Sequence, residues 1–171
     1  MNTEEKWFVL FVLTGKEEKV RHFLEQRFES RLRFVVPKRK LRERKDGAWK
    51  EVTRVLFPGY LFINGIVTSE TYYEMKDIPD VIKLLRTGNE IAEIKPEEMY
   101  ILGKLISYDE IIGFSQVLCE NDKVRVTDGP LTELEGCIVS IDKRKGRAKI
   151  KLSLMGELRT VDLGVSVLEK M

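Results

Sequence analysis

The segment that most constrains the fold is the apolar run WFVLFVL, which extends from Trp7 to Leu13. It is made of aromatic, β-branched and leucine side chains, and it lacks the polar alternation of a strand with one face in water. The run is also much shorter than the roughly 20 apolar residues that cross a bilayer. It therefore predicts a central β-strand that is covered on both faces.

Three later segments predict amphipathic helices. The first follows Gly15, and its apolar residues at helical spacing are Val20, Phe23, Leu24 and Phe28. The second is SETYYEMKDI, in which Ser69 is the expected N-cap. The third opens at Pro96, where a proline loses nothing by lacking an N–H. The apolar stripe of this third helix consists of Met99, Leu102, Leu105 and Ile106.

Further strands are predicted at residues 34–37, 54–63 and 81–85. Asp46-Gly47 lies between the first two, within polar extended sequence, and this dipeptide favours a type I′ hairpin because both central positions need positive φ. Strands that alternate with helices in this order predict an α+β sandwich, with one sheet and helices, over residues 5–107.

The second half of the chain has a different pattern. Residues 108–120 show no clear period and predict a short, unusually apolar linker. Residues 121–171 contain five short β-rich segments separated by glycine-containing turns: KVRV, GCIVSI, AKIKL, LRTVDL and VSVLE. Closely spaced strands of this kind predict a small five-stranded β-barrel.

The sequence does not indicate an enzyme. Gly15-Lys16 stands between a strand and a helix but lacks the remaining residues of a phosphate-binding loop. The single histidine, His22, is expected at the surface, and with Cys119 and Cys137 it forms no zinc-ligand cluster, so neither a metal nor a cofactor is expected. The acidic N-terminus MNTEEK is unlike a secretory signal, and a cytoplasmic location is expected.

Pro58 and Gly59 interrupt the apolar segment LFPGYLFI and predict a bend. In one interpretation this is merely a bent core strand. In the other, the bend presents Phe57, Tyr60 and Phe62, close to Phe11, as an aromatic patch that anchors a partner.

The basic residues are concentrated in two places, although the formal net charge is only +2. Such clusters can form a basic face on a nearly neutral molecule. The residues of the first cluster are Lys38, Arg39, Lys40, Arg42, Arg44 and Lys45. Those of the second are Lys143, Arg144, Lys145, Arg147, Lys149 and Lys151, and Lys149 and Lys151 should share one face of a strand. Nucleic-acid binding and a hairpin tip kept charged for solubility are the two interpretations.

Five separated motifs together resemble the NusG family of transcription elongation factors. In chain order they are WFVLFVLTGKEEKV, VP at 36–37, FPGYLF at 57–62, IPDVIKLL at 78–85 and VRVTDGPLTELEGCIVSID at 124–142. The resemblance implies an N-terminal NGN domain followed by a KOW domain. It also implies that the protein is a monomer, that it has no catalytic activity and that it has no membrane segment.

The resemblance also implies partners. The NGN domain would bind the clamp helices of the largest RNA polymerase subunit through positions that match the family's docking pocket: Phe11, Phe57, Tyr60, Phe62 and Leu84. The hairpin predicted between Lys38 and Arg54, which we call the basic hairpin, would then lie near emerging RNA, or near upstream or non-template DNA.

One departure concerns the KOW domain. Leu131 replaces the aromatic residue with which the family contacts ribosomal protein S10 or Rho, so both contacts are expected to be weak or absent. The combination of Leu131 with the second cluster of basic residues is most similar to LoaP-type paralogues. These are antitermination factors that recognise a leader RNA hairpin. The alternatives are a general NusG elongation factor that couples polymerase to the ribosome or Rho, and an enzyme with an unrecognised site.

Overall fold

A computed structural model describes residues 6–106 and 110–169. The described chain divides into two compact units that are not simple sequence segments. The first unit contains the described residues up to Val36 together with Phe57–Met99. The second contains Pro37–Leu56 and the described residues from Tyr100 onward. The domain limits that were predicted from the sequence remain predictions.

The elements are numbered in chain order. The helices are α1 (Glu17–Phe28), α2 (Ser69–Lys76) and α3 (Pro96–Leu105). The strands up to α3 are β1 (Trp7–Val12), β2 (Arg33–Val35), β3 (Lys38–Lys45), β4 (Ala48–Val55), β5 (Tyr60–Asn64), β6 (Val81–Leu84), β7 (Arg86–Thr87) and β8 (Glu90–Ile91). Those after it are β9 (Ile111–Ile112), β10 (Ser115–Glu120), β11 (Lys123–Asp128), β12 (Ile138–Asp142), β13 (Arg147–Leu154) and β14 (Glu157–Glu169).

The first unit is built on an antiparallel sheet with the strand order β2-β5-β1-β6. Strand β1 has a hydrogen-bonded neighbour on each side, and Val9 and Leu10 at its centre are fully buried. The prediction of a central, two-sided strand is confirmed. Such a strand tolerates no polar alternation because neither face meets water.

The helices differ from the predictions in two details. In α1, Val20, Leu24 and Phe28 are buried as expected, but Phe23 is 37% exposed and lies outside the buried stripe. The prediction that Ser69 caps α2 is wrong. Thr68 is the N-cap: its Oγ1 accepts a hydrogen bond from the Thr71 backbone N–H, and the Thr68 N–H donates to the Thr71 hydroxyl in return. The stripe predicted for α3 is buried.

The second unit contains the hairpin of β3 and β4, with the short β9 parallel to β3. Asp46 and Gly47 form its turn with φ of 53° and 79°, which confirms the predicted turn with two positive φ angles. A five-stranded sheet follows, in the order β11-β10-β14-β13-β12.

The strands of this five-stranded sheet are not the five predicted segments. Strand β10 lies inside the predicted linker, where it pairs in parallel with the end of β14. LRTVDL and VSVLE form the single strand β14 because Gly164, between them, is not a turn. A Cβ on Gly164 would lie 2.4 Å from the Lys40 carbonyl oxygen and 2.4 Å from the Phe114 ring. This glycine permits close packing.

The architecture is α+β, as predicted, with an antiparallel sheet and helices in the first half and a small five-stranded sheet in the second. Within the described ranges 6–106 and 110–169, no helix combines the length and apolar character that crossing a membrane requires.

Candidate aromatic and basic surfaces

Four of the predicted aromatic residues form one connected cluster in the first unit. The Phe11 and Tyr60 rings meet edge to face with centroids 5.0 Å apart. Phe57 lies 6.1 Å from Tyr60 and 5.8 Å from Phe62. These distances are typical of favourable aromatic pairs, which stabilise a shared packing arrangement.

The members of this aromatic cluster differ in accessibility. Phe62 is 0% exposed and Phe57 only 4% exposed, so both belong to the core. Phe11 and Tyr60 are half-buried and offer the accessible part of the cluster. Phe57 and Phe62 therefore agree with a bent core strand, whereas Tyr60 reaches the surface. The anchoring of a partner by this cluster stays a prediction.

Leu84 does not join the cluster. It pairs with Leu10 across the sheet, whereas Phe11 pairs with Lys83 and Tyr60. Neighbouring residues of a strand point to opposite faces, and directly paired residues share a face. Leu84 is consequently on the face opposite to Phe11, and the Lys83 ammonium lies 5.8 Å from the Phe11 ring instead.

Glu17 holds the bend in place, and the sequence-based interpretation missed it. Its buried carboxylate accepts hydrogen bonds from the backbone N–H of Gly15 (2.9 Å) and of Gly59 (3.2 Å). Gly59 has φ of 83°, and its carbonyl accepts from the Val12 N–H at 2.9 Å. The available signal was an acidic residue in the first turn of a helix, which can accept from nearby N–H groups.

The second cluster of basic residues surrounds a tight turn between β12 and β13. The Asp142 Oδ1 accepts a hydrogen bond from the Lys145 backbone N–H at 2.9 Å, and Gly146 has φ of 65°. The side chains of Lys143, Arg144 and Lys145 are exposed. This basic turn is therefore a compact, well-defined feature.

Strand β13 continues the charge away from the basic turn. Lys149 and Lys151 are exposed, whereas Ala148, which precedes Lys149, and Ile150, which lies between the two lysines, are buried. The prediction that these two lysines share a face is confirmed. Beside them lies a cleft of about 650 Å³, lined by Ser140, Ile141, Asp142, Lys143, Lys145, Arg147, Lys149 and Asp162.

Arg42 fastens the basic hairpin to the five-stranded sheet within the second unit. Its guanidinium lies 4.2 Å from the Phe114 ring centroid and donates hydrogen bonds to the Val165 carbonyl (3.1 Å) and to the Ser166 hydroxyl (3.2 Å). The Arg147 guanidinium donates in turn to the Arg42 carbonyl at 3.2 Å. Both arginines were predicted to bind nucleic acid, and the structure shows them engaged in holding the unit together.

The remaining cations of the hairpin have varied surroundings. Burial lowers the pKa of Arg39, Asp162 opposes this effect, and the like charge of Arg147 adds to it. The buried Nε atoms of Arg39 and Arg147 have no hydrogen-bond partner among the described residues. Lys40 pairs with Glu51 at 3.6 Å, whereas Arg44 and Lys45 near the tip are exposed.

The two basic clusters meet at Gly146. A Cβ built on this glycine would lie 3.0 Å from the Val165 carbonyl oxygen and 3.1 Å from the Arg42 Nη1. The basic turn and the basic hairpin, far apart in sequence, thus adjoin in the second unit. We call this combined region the basic surface: the exposed cations of residues 44–45 and 143–151, joined through Arg42.

Leu131 is 0% exposed, and its backbone N–H donates to the Ser115 hydroxyl at 2.9 Å. Of the two acids beyond it, Glu133 pairs with Lys104 at 3.1 Å and Glu135 accepts from the Val126 N–H at 3.2 Å. The side chain at this position is thus part of the core rather than a surface anchor.

The described residues contain no group of three or more His, Cys, Asp or Glu side chains that could hold a metal ion. His22 is exposed, and both Cys119 and Cys137 are half-buried free thiols. The two surfaces that stand out among the described residues are the aromatic cluster of the first unit and the basic surface of the second.

Comparison with known proteins identifies the family. The family model "Transcription termination factor nusG" matches residues 5–102, which is more than half of the chain. This chain belongs to the NusG family of transcription factors, whose members are not enzymes.

Similar proteins extend the match to nearly the full length. The transcription termination/antitermination protein NusG of Bacillus subtilis is 28% identical over 180 residues, which cover 98% of this chain and 99% of the relative. The protein of the same name from Halalkalibacterium halodurans is 27% identical, with 98% and 99% covered. A solved structure described as "Domain interaction in Thermotoga maritima NusG" has a TM-score of 0.61 at 24% identity, covers 95% and 93% of the two chains, and supports the fold.

Proposed function

We propose that this chain is an antitermination factor of the LoaP type. Its first unit binds RNA polymerase through the aromatic cluster, and its second unit binds a hairpin in leader RNA through the basic surface. The observation that carries the proposal is the junction at Gly146, because it joins cations from two distant segments into one surface.

The polymerase contact is assigned to Phe11 and Tyr60, with Phe57 and Phe62 supporting them from the core. Partly exposed aromatic side chains on a rigid base are typical binding anchors, since they bury a large area with little loss of conformational entropy. Glu17 contributes by holding the bend that positions Tyr60. A factor bound to the clamp helices would favour the closed clamp by population shift and would need no chemical step.

The RNA contact is assigned to the exposed side chains of Lys143, Arg144, Lys145, Lys149 and Lys151. Phosphate neutralisation by such cations releases counterions and dominates affinity. A regular A-form duplex hides its major groove, so specific recognition requires a bulge or loop with accessible base edges. The basic turn suits such a target because the side chains of Lys143, Arg144 and Lys145 are exposed next to one another, while the buried Gly146 closes the turn.

A general elongation factor is the second candidate, and the full-length similarity to the Bacillus subtilis relative favours it. In this role the second unit would contact ribosomal protein S10 or Rho. The burial of Leu131 argues against a strong contact with S10 or Rho, because this side chain is not available at the surface. Pull-down with purified S10 and Rho separates the candidates: strong retention of either protein would favour the general factor.

The decisive experiment is single-round transcription through a terminator placed behind candidate leaders from the native transcriptome. We expect readthrough that depends on both the leader and the protein. Replacement of Lys143, Arg144 and Lys145 by Gln should abolish the leader dependence. The matched control replaces the exposed Lys123 and Arg125, on β11 of the same sheet, by Gln. Equal readthrough with and without the protein on every leader would contradict the proposal.

Binding measurements test the RNA contact separately. The triple Gln variant should flatten the slope of log K against log salt by about 0.7 to 0.9 per lost phosphate contact. An unchanged slope would mean that the basic turn serves solubility alone.

A further inference from the structure

The exposed tryptophan of the basic hairpin has no part in the surfaces described above. The chain has two tryptophans, and Trp7 is a core residue with 5% exposure. Trp49, on β4, is 41% exposed. A tryptophan exposed on a charged hairpin offers an apolar ring face that a ligand can cover.

The ring lies beside an arginine near the tip of the hairpin. Trp49 pairs directly with Arg44, so the two side chains share a face of the ribbon, with Cβ atoms about 4.5–5.5 Å apart. Lys45 and Lys50 occupy the neighbouring positions of the two strands, so their side chains lie on the opposite face of the ribbon. Glu51, two residues from Trp49, shares the face of the ring and pairs with Lys40 at 3.6 Å. The acid Glu43 is held by Arg54 through two hydrogen bonds of 2.8 and 2.9 Å, which offsets its charge.

This site continues the basic surface. Arg44 follows Arg42 by two residues, so both lie on one face of β3 about 7 Å apart. Arg42 is the residue that binds the Val165 carbonyl and lies beside Gly146 of the basic turn. A polyanion that lies on the basic turn can therefore extend along this face of the hairpin to Trp49.

An exposed aromatic ring beside an arginine matches the chemistry of an unpaired nucleotide. Its phosphate is attracted by the arginine, and its base stacks on the ring. A base inside a duplex is already stacked on both faces and cannot use such a site. An apolar protein partner would gain from the ring but not from the charge of Arg44.

We propose that Trp49 stacks on one unpaired base of single-stranded nucleic acid, while Arg44, on the same face of the hairpin, holds the adjoining phosphate. The inference rests on the proposed nucleic-acid binding of the second unit. It assigns the hairpin tip to a base and the turn at Gly146 to the neighbouring backbone.

Tryptophan fluorescence and anisotropy of labelled oligonucleotides together test this inference in the full-length protein. The probes are a uridine 12-mer, the matching thymidine 12-mer and a blunt 12-base-pair RNA duplex. Trp49→Phe retains Trp7 as its one tryptophan, so the difference in tryptophan fluorescence between the two proteins reports on Trp49. Both single strands should quench the Trp49 signal, and the duplex should not. A preference for one single strand tells whether RNA or DNA is the ligand.

Trp49→Ala should weaken single-strand binding about 5- to 150-fold, the range for loss of one stacked base, whereas Trp49→Phe should retain most of the affinity. Duplex binding should change by less than about twofold in either variant. An unchanged single-strand affinity in Trp49→Ala would overturn the inference, as would equal quenching by the duplex or quenching by polymerase alone.

The triple Gln variant of the basic turn distinguishes this failure from failure of the proposed function. If that variant loses affinity and Trp49→Ala does not, only the stacking site is refuted. If neither variant loses affinity, nucleic-acid binding by the second unit is refuted as well.

Discussion

The guanidinium of Arg42 lies over the Phe114 ring at 4.2 Å, and this contact joins the basic hairpin to the sheet within the second unit. A guanidinium at this distance attracts the ring electrostatically, by about 0.5 to 2 kcal/mol. A double-mutant cycle with Arg42→Ala and Phe114→Leu should therefore show a coupling of this size in the free energy of unfolding.

Urea unfolding of the four proteins of this cycle measures the coupling. Arg44→Ala, two residues away and exposed, is the matched control and should show no coupling to Phe114→Leu. Additive effects of Arg42→Ala and Phe114→Leu would mean that the contact contributes nothing.

Gly164 should tolerate no side chain. Gly164→Ala places a Cβ 2.4 Å from the Lys40 carbonyl oxygen, so the strand or the hairpin must move, at about 1 to 3 kcal/mol of stability. Gly136→Ala is the control because a Cβ there meets nothing within 4 Å. Thermal unfolding of both variants should show a large loss in the first and little change in the second. Equal stability would refute the close approach.

Glu17 should be replaceable by Gln but not by Ala. The Oε1 accepts from both Gly15 and Gly59, and the Oε2 accepts from Gly15 as well, at 3.0 Å. A glutamine oxygen in the place of Oε1 can keep one bond to each glycine and loses only the second bond to Gly15. Glu17→Ala should cost about 1.5 to 3 kcal/mol, the range for hydrogen bonds to a charged group, and Glu17→Gln clearly less. Chemical denaturation measures both. Equal losses in the two variants would show that the charge, not the Oε1 bridge, matters.

The aromatic cluster should separate stability from binding. Phe62→Ala removes a fully buried ring and should cost about 3 to 5 kcal/mol. Tyr60→Ala and Phe11→Ala remove half-buried rings, so they should fold and lose affinity for polymerase. Denaturation and polymerase binding are measured on the same samples. Full polymerase affinity in both surface variants would place the contact elsewhere.

The Glu43–Arg54 pair should give a defined pH dependence. Its hydrogen bond to Arg54 lowers the pKa of Glu43, so the folded state favours the charged carboxylate. The resulting stability is fully present above the ordinary glutamate pKa and is lost as the pH falls through the lowered value. The stability advantage over Glu43→Gln, measured by urea unfolding at pH 7 and pH 3, should therefore shrink at the lower pH. A constant difference would contradict it.

Local patterns were enough to predict several elements. The run from Trp7 to Leu13 predicted the central strand because a strand covered on both faces is apolar at nearly every position. Asp46-Gly47 predicted its turn because few residue pairs adopt two positive φ angles. Pro96 and the apolar spacing after it predicted α3, and alternation along β13 placed Lys149 and Lys151 on one face.

Only the tertiary structure decided which distant residues meet. Gly164 reads as a turn in sequence, yet it lies within β14, since its close neighbours Lys40 and Phe114 come from other parts of the chain. Arg42 resembles any other exposed cation until Val165, Ser166 and Phe114 surround it. Leu84 matched a family position, but the strand register pairs it with Leu10 and places its side chain on the other face of the sheet from Phe11. Residue type and spacing act along the chain and therefore determined the local elements and total charge, whereas long-range packing determined which charges and rings form a surface.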